Sequence, residues 1–209
     1  MSDDYSFKVK RRRPEEIYTN VRDYYSEEEI SRYSLSKSVM RIQRKITLRA
    51  LELLELTTTN LLVMDAGCGP GFTTNLIRKQ GYKTIALDFI TQFLYFYDIK
   101  ELNPIAADIC KLPFKENIFD AIISISAFQW IIRDIHKNEI RRQTINLMKS
   151  FYFLLKPKAK MLIQFYPKNN LVLETFGKLI SETTKFKGNF IIDNPKNPKK
   201  RKIFILLLK

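Results

Sequence analysis

The sequence predicts a doubly wound α/β domain with a mostly parallel seven-stranded sheet, helices on both faces and a C-terminal antiparallel hairpin. Three observations predict it. From about residue 38 onward, apolar stretches of strand length alternate with stretches of helical periodicity, the pattern of parallel strands joined by crossover helices. The first apolar stretch runs into a glycine-rich turn, Gly67-Cys68-Gly69-Pro70-Gly71, and a helical pattern follows it. The last two strand-like stretches are separated only by a turn rich in Pro and Lys, so they pair with each other as a hairpin.

The elements follow in order. Residues 1–37 are polar, charged and rich in tyrosine, and read as a basic, partly flexible extension, with Lys8 to Arg13 as its basic cluster. Residues 38–209 read as a single domain, because a chain of 209 residues with 45% hydrophobic content supports one sizeable core. Val39, Ile42, Ile46, Ala50, Leu53 and Leu54 fall at helical spacing and predict a core-facing helix ending near Leu56. Its off-stripe residues Arg41, Arg44, Lys45 and Arg49 make it basic. Leu61–Asp65 reads as the first strand, Phe72–Gln80 as a helix closed by Gly81, and Thr84–Asp88 as the second strand. Thr91–Leu102 reads as an aromatic-rich helix and Ile105–Asp108 as a short third strand. Phe119–Ser126 is nearly all apolar, as a strand covered on both faces should be. A helix over Glu139–Leu155 is expected to end at Pro157, a fifth strand to span Lys160–Tyr166, and a helix to span Leu171–Lys185. Phe190–Ile192 and Ile203–Leu208 complete the sheet.

Composition bounds the function. Lys and Arg outnumber Asp and Glu by 36 to 22, for a net charge of +14. Such an excess suits a protein that docks on phosphates, where cations displace condensed counterions. Residues 185–209 carry Lys185, Lys187, Lys196, Lys199, Lys200, Arg201, Lys202 and Lys209 against the single acid Asp193. Cys68 and Cys110, the only cysteines, can form neither a disulfide framework nor a four-ligand zinc site by themselves. They point to a reducing compartment, and no metal site is expected. His136, the only histidine, reads as a surface residue. No signal peptide is apparent, and the apolar run Ala121–Ile132 is too short to span a bilayer, so no membrane association is expected.

The glycine turn carries the chemistry. A dinucleotide fingerprint places glycines at the first, third and sixth positions, whereas Gly67, Gly69 and Gly71 are evenly spaced. Asp65 precedes them at the strand end, where it would repel a pyrophosphate but suit a ligand bearing a cation. Asp88 ends the second strand, where an acid accepts ribose hydroxyls. Asp108 follows the third strand. Three acids at the carboxyl ends of successive strands mark one ligand edge.

Asp65-Ala66-Gly67-Cys68-Gly69-Pro70-Gly71 resembles the D-x-G-x-G-x-G motif of class I methyltransferases, a Rossmann-like fold. The resemblance implies S-adenosyl-L-methionine as cofactor, held by Asp65, Gly67, Cys68, Gly69, Gly71, Asp88, Asp108 and Ser124, with Asp108 near the adenine amino group. Cys68 is not expected to be a nucleophile, since methyl donation needs no covalent enzyme intermediate and no His lies near it in sequence.

A narrower resemblance covers nearly the whole chain from Arg11. Its residues are Arg12-Arg13-Pro14-Glu15, Tyr25 to Tyr33, Arg49 to Leu54, Phe119 to Trp130, Gln164-Phe165-Tyr166-Pro167-Lys168-Asn169 and Ile191 to Pro195. These resemble the eukaryotic small-subunit (18S) ribosomal RNA guanine-N7 methyltransferases. The resemblance implies methylation of a guanine in small-subunit ribosomal RNA or a pre-ribosome during ribosome biogenesis. It also implies location in the nucleus, with the cytoplasm as a second site. Gln129, Trp130 and Tyr166 are then the catalytic candidates, as positioning residues: Trp130 stacks on the base, Gln129 reads its edge and Tyr166 forms the other wall. Guanine N7 has a free lone pair and no proton to lose, so no general base is expected, and positioning can supply ~7–11 kcal/mol.

Family members also work with a small zinc-binding activator subunit that adds to the sheet edge near the third strand. The aromatic run Phe93, Leu94, Phe96 and Tyr97 marks a candidate docking patch for it. The chain departs from the family in having Phe89-Ile90-Thr91 where a small polar run is usual, and in reaching Lys209 without a long Lys/Arg-rich tail. Two other readings compete: a methyltransferase of quinone- or sterol-like small molecules, and a ribosome-assembly factor whose role does not depend on catalysis. The net charge and the Phe128-Gln129-Trp130 and Phe165-Tyr166-Pro167 stretches argue against the first. The intact glycine turn argues for retained cofactor binding against the second.

Overall fold

A computed structural model describes residues 12–98 and 102–209. The basic cluster Lys8 to Arg13 therefore lies mostly outside the described residues. The seven strands are β1 (Leu62–Ala66), β2 (Lys83–Asp88), β3 (Ile105–Ala106), β4 (Phe119–Ile125), β5 (Leu155–Phe165), β6 (Lys187–Asp193) and β7 (Lys202–Leu208). They form one sheet in the order β3-β2-β1-β4-β5-β7-β6. The first five run parallel, and β7 is antiparallel to both neighbours. The expected hairpin is present, but the reversed strand β7 is inserted beside β5 and leaves β6 at the edge.

Period-two alternation explains why both sheet faces are covered. Val63, Ala121, Ile123, Leu162 and Phe204 point to one side. There they meet Ile46, Ala50 and Leu54 of α4 (Lys37–Leu54) and Ile77 of α5 (Phe72–Lys79). Met64, Ile122, Met161, Ile163 and Ile205 point to the other. They pack under α6 (Phe128–Ile132), α7 (Asn138–Leu154) and α8 (Asn170–Thr183), which contribute Phe128, Phe151 and Phe176.

Four local expectations differ from the structure. The helix over Thr91–Leu102 is a 3-10 helix of Thr91–Phe96. β-Branched and aromatic residues form α-helix poorly, and here Phe93 must turn inward to Ile30 while Tyr97 closes on Gly71. Strand β5 begins at Leu155, immediately after α7, and passes through Pro157. Its register against β4 shifts between Phe119 and Ala121, and Lys158 adopts φ 65°, so the proline sits in an irregularity that needs no ladder donor. On α4 the buried stripe is Gln43, Ile46, Thr47, Ala50 and Leu54, while Ile42 is exposed. Finally, α6 occupies what read as loop after β4.

Residues 14–35, for which the sequence showed no helical stripe, form α1 (Pro14–Ile17), α2 (Val21–Tyr24) and α3 (Glu27–Leu35). Their local signals are caps. Pro14 begins α1, Asn20 accepts from the Arg22 amide, and Ser26 accepts from the Glu29 amide. Three glutamates open α3, where the helix dipole favours them.

Because Phe204 is fully buried on the inserted strand between β5 and β6, Phe204→Ala is expected to lower stability by about 3–5 kcal/mol. Equilibrium urea unfolding followed by circular dichroism measures this. A loss below 1 kcal/mol would place β7 outside the cooperative core.

Candidate active site

A cleft of about 360 Å³ opens at the carboxyl ends of β1, β2 and β4, where open α/β sheets place their ligands. Its floor is the glycine turn. Gly67, Gly69 and Gly71 have φ of 84°, 52° and 94°, the left-handed region that side chains strain to enter. At Gly67 an added Cβ would come within 2.6 Å of the Ala127 Cβ, whereas at Gly69 it would meet nothing within 4 Å and project into open space. The amides of Gly67 and Cys68 both donate to the Leu87 carbonyl, at 2.9 and 3.0 Å, and so lash the turn to the end of β2.

The three acids have distinct surroundings. Asp65 is fully buried beneath the turn. Its Oδ2 accepts from the Thr74 hydroxyl at 2.6 Å, and its Oδ1 has no partner among the described residues. Burial raises its pKa to about 7, opposed by the Thr74 bond and assisted by the charge of Asp88. The Tyr97 hydroxyl lies 2.9 Å from the Thr74 oxygen and closes this pocket from the side. Asp88 lines the cleft, with Oδ2 accepting from the Gly69 amide and Oδ1 from the Ile90 amide, both at 2.8 Å. Burial raises it too, although these backbone amides pull the other way. Asp108 lines the far wall, its Oδ1 accepting from the Cys110 amide at 2.9 Å. Cys68 is buried in the cleft wall, and burial with the charges of Asp65 and Asp88 pushes its thiol up. That disfavours the thiolate a nucleophile would need.

The other candidates do not all meet in the cleft: Trp130 lines it, whereas Gln129 and Tyr166 come together in a small crevice beside it. Trp130 lines the cleft, with Tyr24 and Tyr25 at ring distances of 5.6 and 6.0 Å. Ser124 does not line it. Its hydroxyl is fully buried and donates to the Ala66 carbonyl at 2.7 Å, tying β4 to β1. Gln129 also turns away, into a small crevice beside Glu15 and Val172, and donates to the Ser126 carbonyl at 2.7 Å. Tyr166 lines that crevice too, and with Arg13 it lines a further groove. The departure of Gln129 traces to α6, whose helical turn presents Trp130 to the cleft and rotates Gln129 inward.

The structure adds residues that sequence reasoning missed. Tyr25 and Tyr33 of the N-terminal helices line the cleft together with Phe72 and Phe93. Tyr25 stands 4.9 Å from Phe93, and Tyr33 stands 5.7 Å from it. This aromatic roof is pinned by Arg133, whose guanidinium donates to the carbonyls of Glu15, Tyr18 and Thr19. Arg13 pins the preceding residue stretch by donating to the carbonyls of Tyr166 and Pro167, at 2.9 and 3.1 Å. Along one wall, Gln43 reaches both the Tyr33 hydroxyl (3.2 Å) and Ser126 Oγ (3.3 Å), and Ser126 donates to Gln164 at 2.9 Å. The available signal was polar Gln43 and Thr47 four residues apart, on what turns out to be the buried stripe of α4.

Comparisons with known proteins agree with this geometry. A family described as "Methyltransferase domain" matches residues 64–163. The 18S rRNA (guanine(1575)-N(7))-methyltransferase of Saccharomyces cerevisiae is 32% identical over 190 residues, covering 88% of this chain and 68% of that protein. The 18S rRNA (guanine-N(7))-methyltransferase of Bos taurus is 30% identical, covering 88% and 67%. Among solved structures, a putative S-adenosyl-L-methionine-dependent methyltransferase of Methanococcus maripaludis superimposes with TM-score 0.66 at 15% identity, covering 88% of this chain and 93% of that one. An N-methyltransferase of Bradyrhizobium japonicum in complex with S-adenosyl-L-homocysteine does so with TM-score 0.64 at 14% identity, covering 87% and 97%.

Asp65 makes the unliganded protein pH-sensitive in a definite direction. Its folded pKa of about 7 lies above the ordinary carboxylate value. The folded state therefore holds this proton longer, and its contribution to stability is full below about pH 4 and lost as pH rises through about 7. Asp65→Asn is expected to flatten that decline. Thermal unfolding of both proteins from about pH 4 to pH 8 tests it, and parallel curves would contradict the assignment.

Proposed function

Because the chain belongs to the 18S rRNA guanine-N7 methyltransferase family, we propose that it transfers a methyl group from S-adenosyl-L-methionine to N7 of a guanine in small-subunit ribosomal RNA. The observation that carries this reading is a single cleft in which the glycine turn and two rim acids face an aromatic roof containing Trp130.

The residues present fit the cofactor. The cleft volume lies within the usual range for small-molecule sites, ~300–1,000 Å³. Open space over Gly69 admits a ligand against the backbone. The unpartnered Asp65 Oδ1 beneath the turn is a buried acceptor that favours a cationic neighbour. Asp88 would hold the ribose hydroxyls through the lone pairs its backbone bonds leave free, and Asp108 would sit near the adenine. Gly67, Cys68, Gly69 and Gly71 would supply backbone surface. Ser124 would act indirectly, by holding β1 and β4 together beneath the turn.

When bound, the cofactor supplies an electrophilic methyl group on a sulfonium. The chain's task is to align an acceptor with it. Trp130 would stack on the guanine, and the Tyr25–Tyr33–Phe93 roof would exclude water. Gln129 would work as a positioning residue, because its bond to the Ser126 carbonyl fixes the loop between β4 and α6. The methyl moves from sulfur to N7 and the positive charge moves with it. No proton leaves, so no side chain need act as a base, and the exposed His136 has no part to play.

On this reading residues 38–209 are the methyltransferase domain and residues 1–37 an extension whose Tyr25 and Tyr33 roof its cleft. A zinc-binding activator subunit would dock at the β3 edge. Of the aromatic run expected to form the patch, Phe93 is buried and Tyr97 packs on Gly71; support comes from exposed Phe96, with Ile105 on that strand and Phe89 and Tyr95 nearby, the last 82% exposed. An unpaired edge beside an apolar patch suits strand addition. Action on pre-ribosomes would place the protein in the nucleus. Among the described residues no helix is long and apolar enough to cross a membrane.

Incubating the chain, with and without a co-expressed activator subunit, with labelled S-adenosyl-L-methionine and small ribosomal subunits is expected to yield labelled 7-methylguanosine. Label in another nucleoside, or none despite cofactor binding, would defeat the reading. Asp88→Ala is expected to weaken cofactor binding roughly 10- to 100-fold, the scale of charged hydrogen bonds. Trp130→Ala is expected to lower kcat/KM for RNA while leaving cofactor affinity within about threefold, since the ring would touch only the base. Calorimetry and initial-rate kinetics read the two effects separately.

A further inference from the structure

Arg13 and Tyr166 line a second groove of about 220 Å³. Its walls combine one phenol and two prolines (Tyr166, Pro167, Pro198) with the cations Arg13, Lys199, Arg201 and Lys202, and among the described residues no carboxylate lines it. Two of these cations lie over the Tyr166 ring, Arg13 at 5.7 Å and the Lys202 ammonium at 5.1 Å from its centroid. They are held differently. Arg13 is fixed by the Tyr166 and Pro167 carbonyls. Lys202 carries its charge on a flexible four-carbon stem that can swing from the ring to an arriving anion. Arg201 donates to the Pro195 carbonyl and closes the β6–β7 loop, which sets Pro198 and Lys199 opposite Tyr166.

We propose that this groove is a subsite for a nucleotide flanking the target guanine, its base packed on Tyr166 and the prolines and its phosphate held by Lys199 and Lys202. The inference rests on the ribosomal RNA reading above and gives Tyr166 a role outside the transfer cleft. A phenol face with mobile cations beside it matches the two parts of a nucleotide, the stacking base and the charged backbone. An acidic peptide would satisfy the cations but gain nothing from the ring and proline walls. A small crevice links the groove to the cleft, sharing Arg133 with the cleft and Tyr166 and Pro167 with the groove. Tyr166 directly follows β5, which pairs with β4 up to the residue before Ser126. Burial chiefly raises the Tyr33 phenol in the cleft, and the nearby Tyr166 phenol adds to it. A strand with one base in the cleft therefore has its neighbour within reach of Tyr166.

The test is RNA binding by the full chain loaded with S-adenosyl-L-homocysteine. The probe is a fluorescent single-stranded RNA of about 12 nucleotides containing one guanine. Tyr166→Ala is expected to weaken binding roughly 5- to 150-fold, the range that stacking on one aromatic ring supports, and Tyr166→Phe to retain it. Lys199→Gln combined with Lys202→Gln is expected to reduce the slope of log affinity against log salt by about 1–2. Cofactor-product affinity and unfolding temperature should hold in all three proteins, which separates a lost subsite from a damaged fold. Wild-type affinity in both Tyr166→Ala and the double lysine variant would overturn the subsite while leaving the substrate reading intact. So would equal competition by inorganic polyphosphate or by poly-glutamate, which would mark an anion patch or a protein-docking site. Failure of the wild-type chain to bind RNA at all would instead overturn the ribosomal RNA reading, and the subsite with it.

Discussion

Two backbone amides converge on one carbonyl, those of Gly67 and Cys68 on Leu87, and the rest of the site hangs from that junction. It forces the turn after β1 flat against the end of β2. A turn so placed has no room for a side chain at Gly67, where Ala127 presses from the start of α6, and leaves Gly69 facing open space. The same junction brings the Gly69 amide onto Asp88. One hydrogen-bonded crossing thus sets the cleft floor, orients the rim acid and spaces β4 from β2. Ser124 extends the arrangement by bonding the Ala66 carbonyl from the other side.

What was legible in the sequence was whatever depends on local pattern. Short apolar runs located all seven strands, most firmly β1 and β4, since a strand buried on both faces has little freedom of composition, whereas β3 and β6 lie exposed at the sheet edges. The evenly spaced glycines located the cleft floor because each adopts a conformation that side chains resist. Tertiary choices were not legible. Ile42 and Gln43 compete for the inner face of α4, and Gln43 takes it because Tyr33 and Ser126 offer it hydrogen bonds there. No periodicity announces such partners. Gln129 and Trp130 adjoin in sequence but diverge in space, because the chain coils into α6 as soon as it leaves β4. Tyr166 likewise looked like part of the same strand-edge site, but it lines the crevice with Gln129 and the groove with Arg13.

The roof is built on a different principle from the floor. Its side chains are aromatic and contact one another edge-on or tilted, an arrangement that tolerates small shifts. Its anchors are two arginines reading main-chain carbonyls. The result is a rigid, glycine-defined platform under an adaptable aromatic cover. Such a division suits a site that must hold one small ligand closely and admit a base from a large, irregular polymer.

Those anchors also impose an order in time. Arg133 grips carbonyls more than a hundred residues earlier in the chain, and Arg13 awaits carbonyls separated from it by 153 and 154 positions. During synthesis the tyrosine-rich stretch emerges long before either partner exists. The cover must therefore remain undocked while the central strands assemble, and it can seat only after β5 has been translated. A nascent chain stalled before residue 165 would carry a formed glycine platform with its aromatic cover still loose. Closure of the cleft thus reports that the chain has been made through β5.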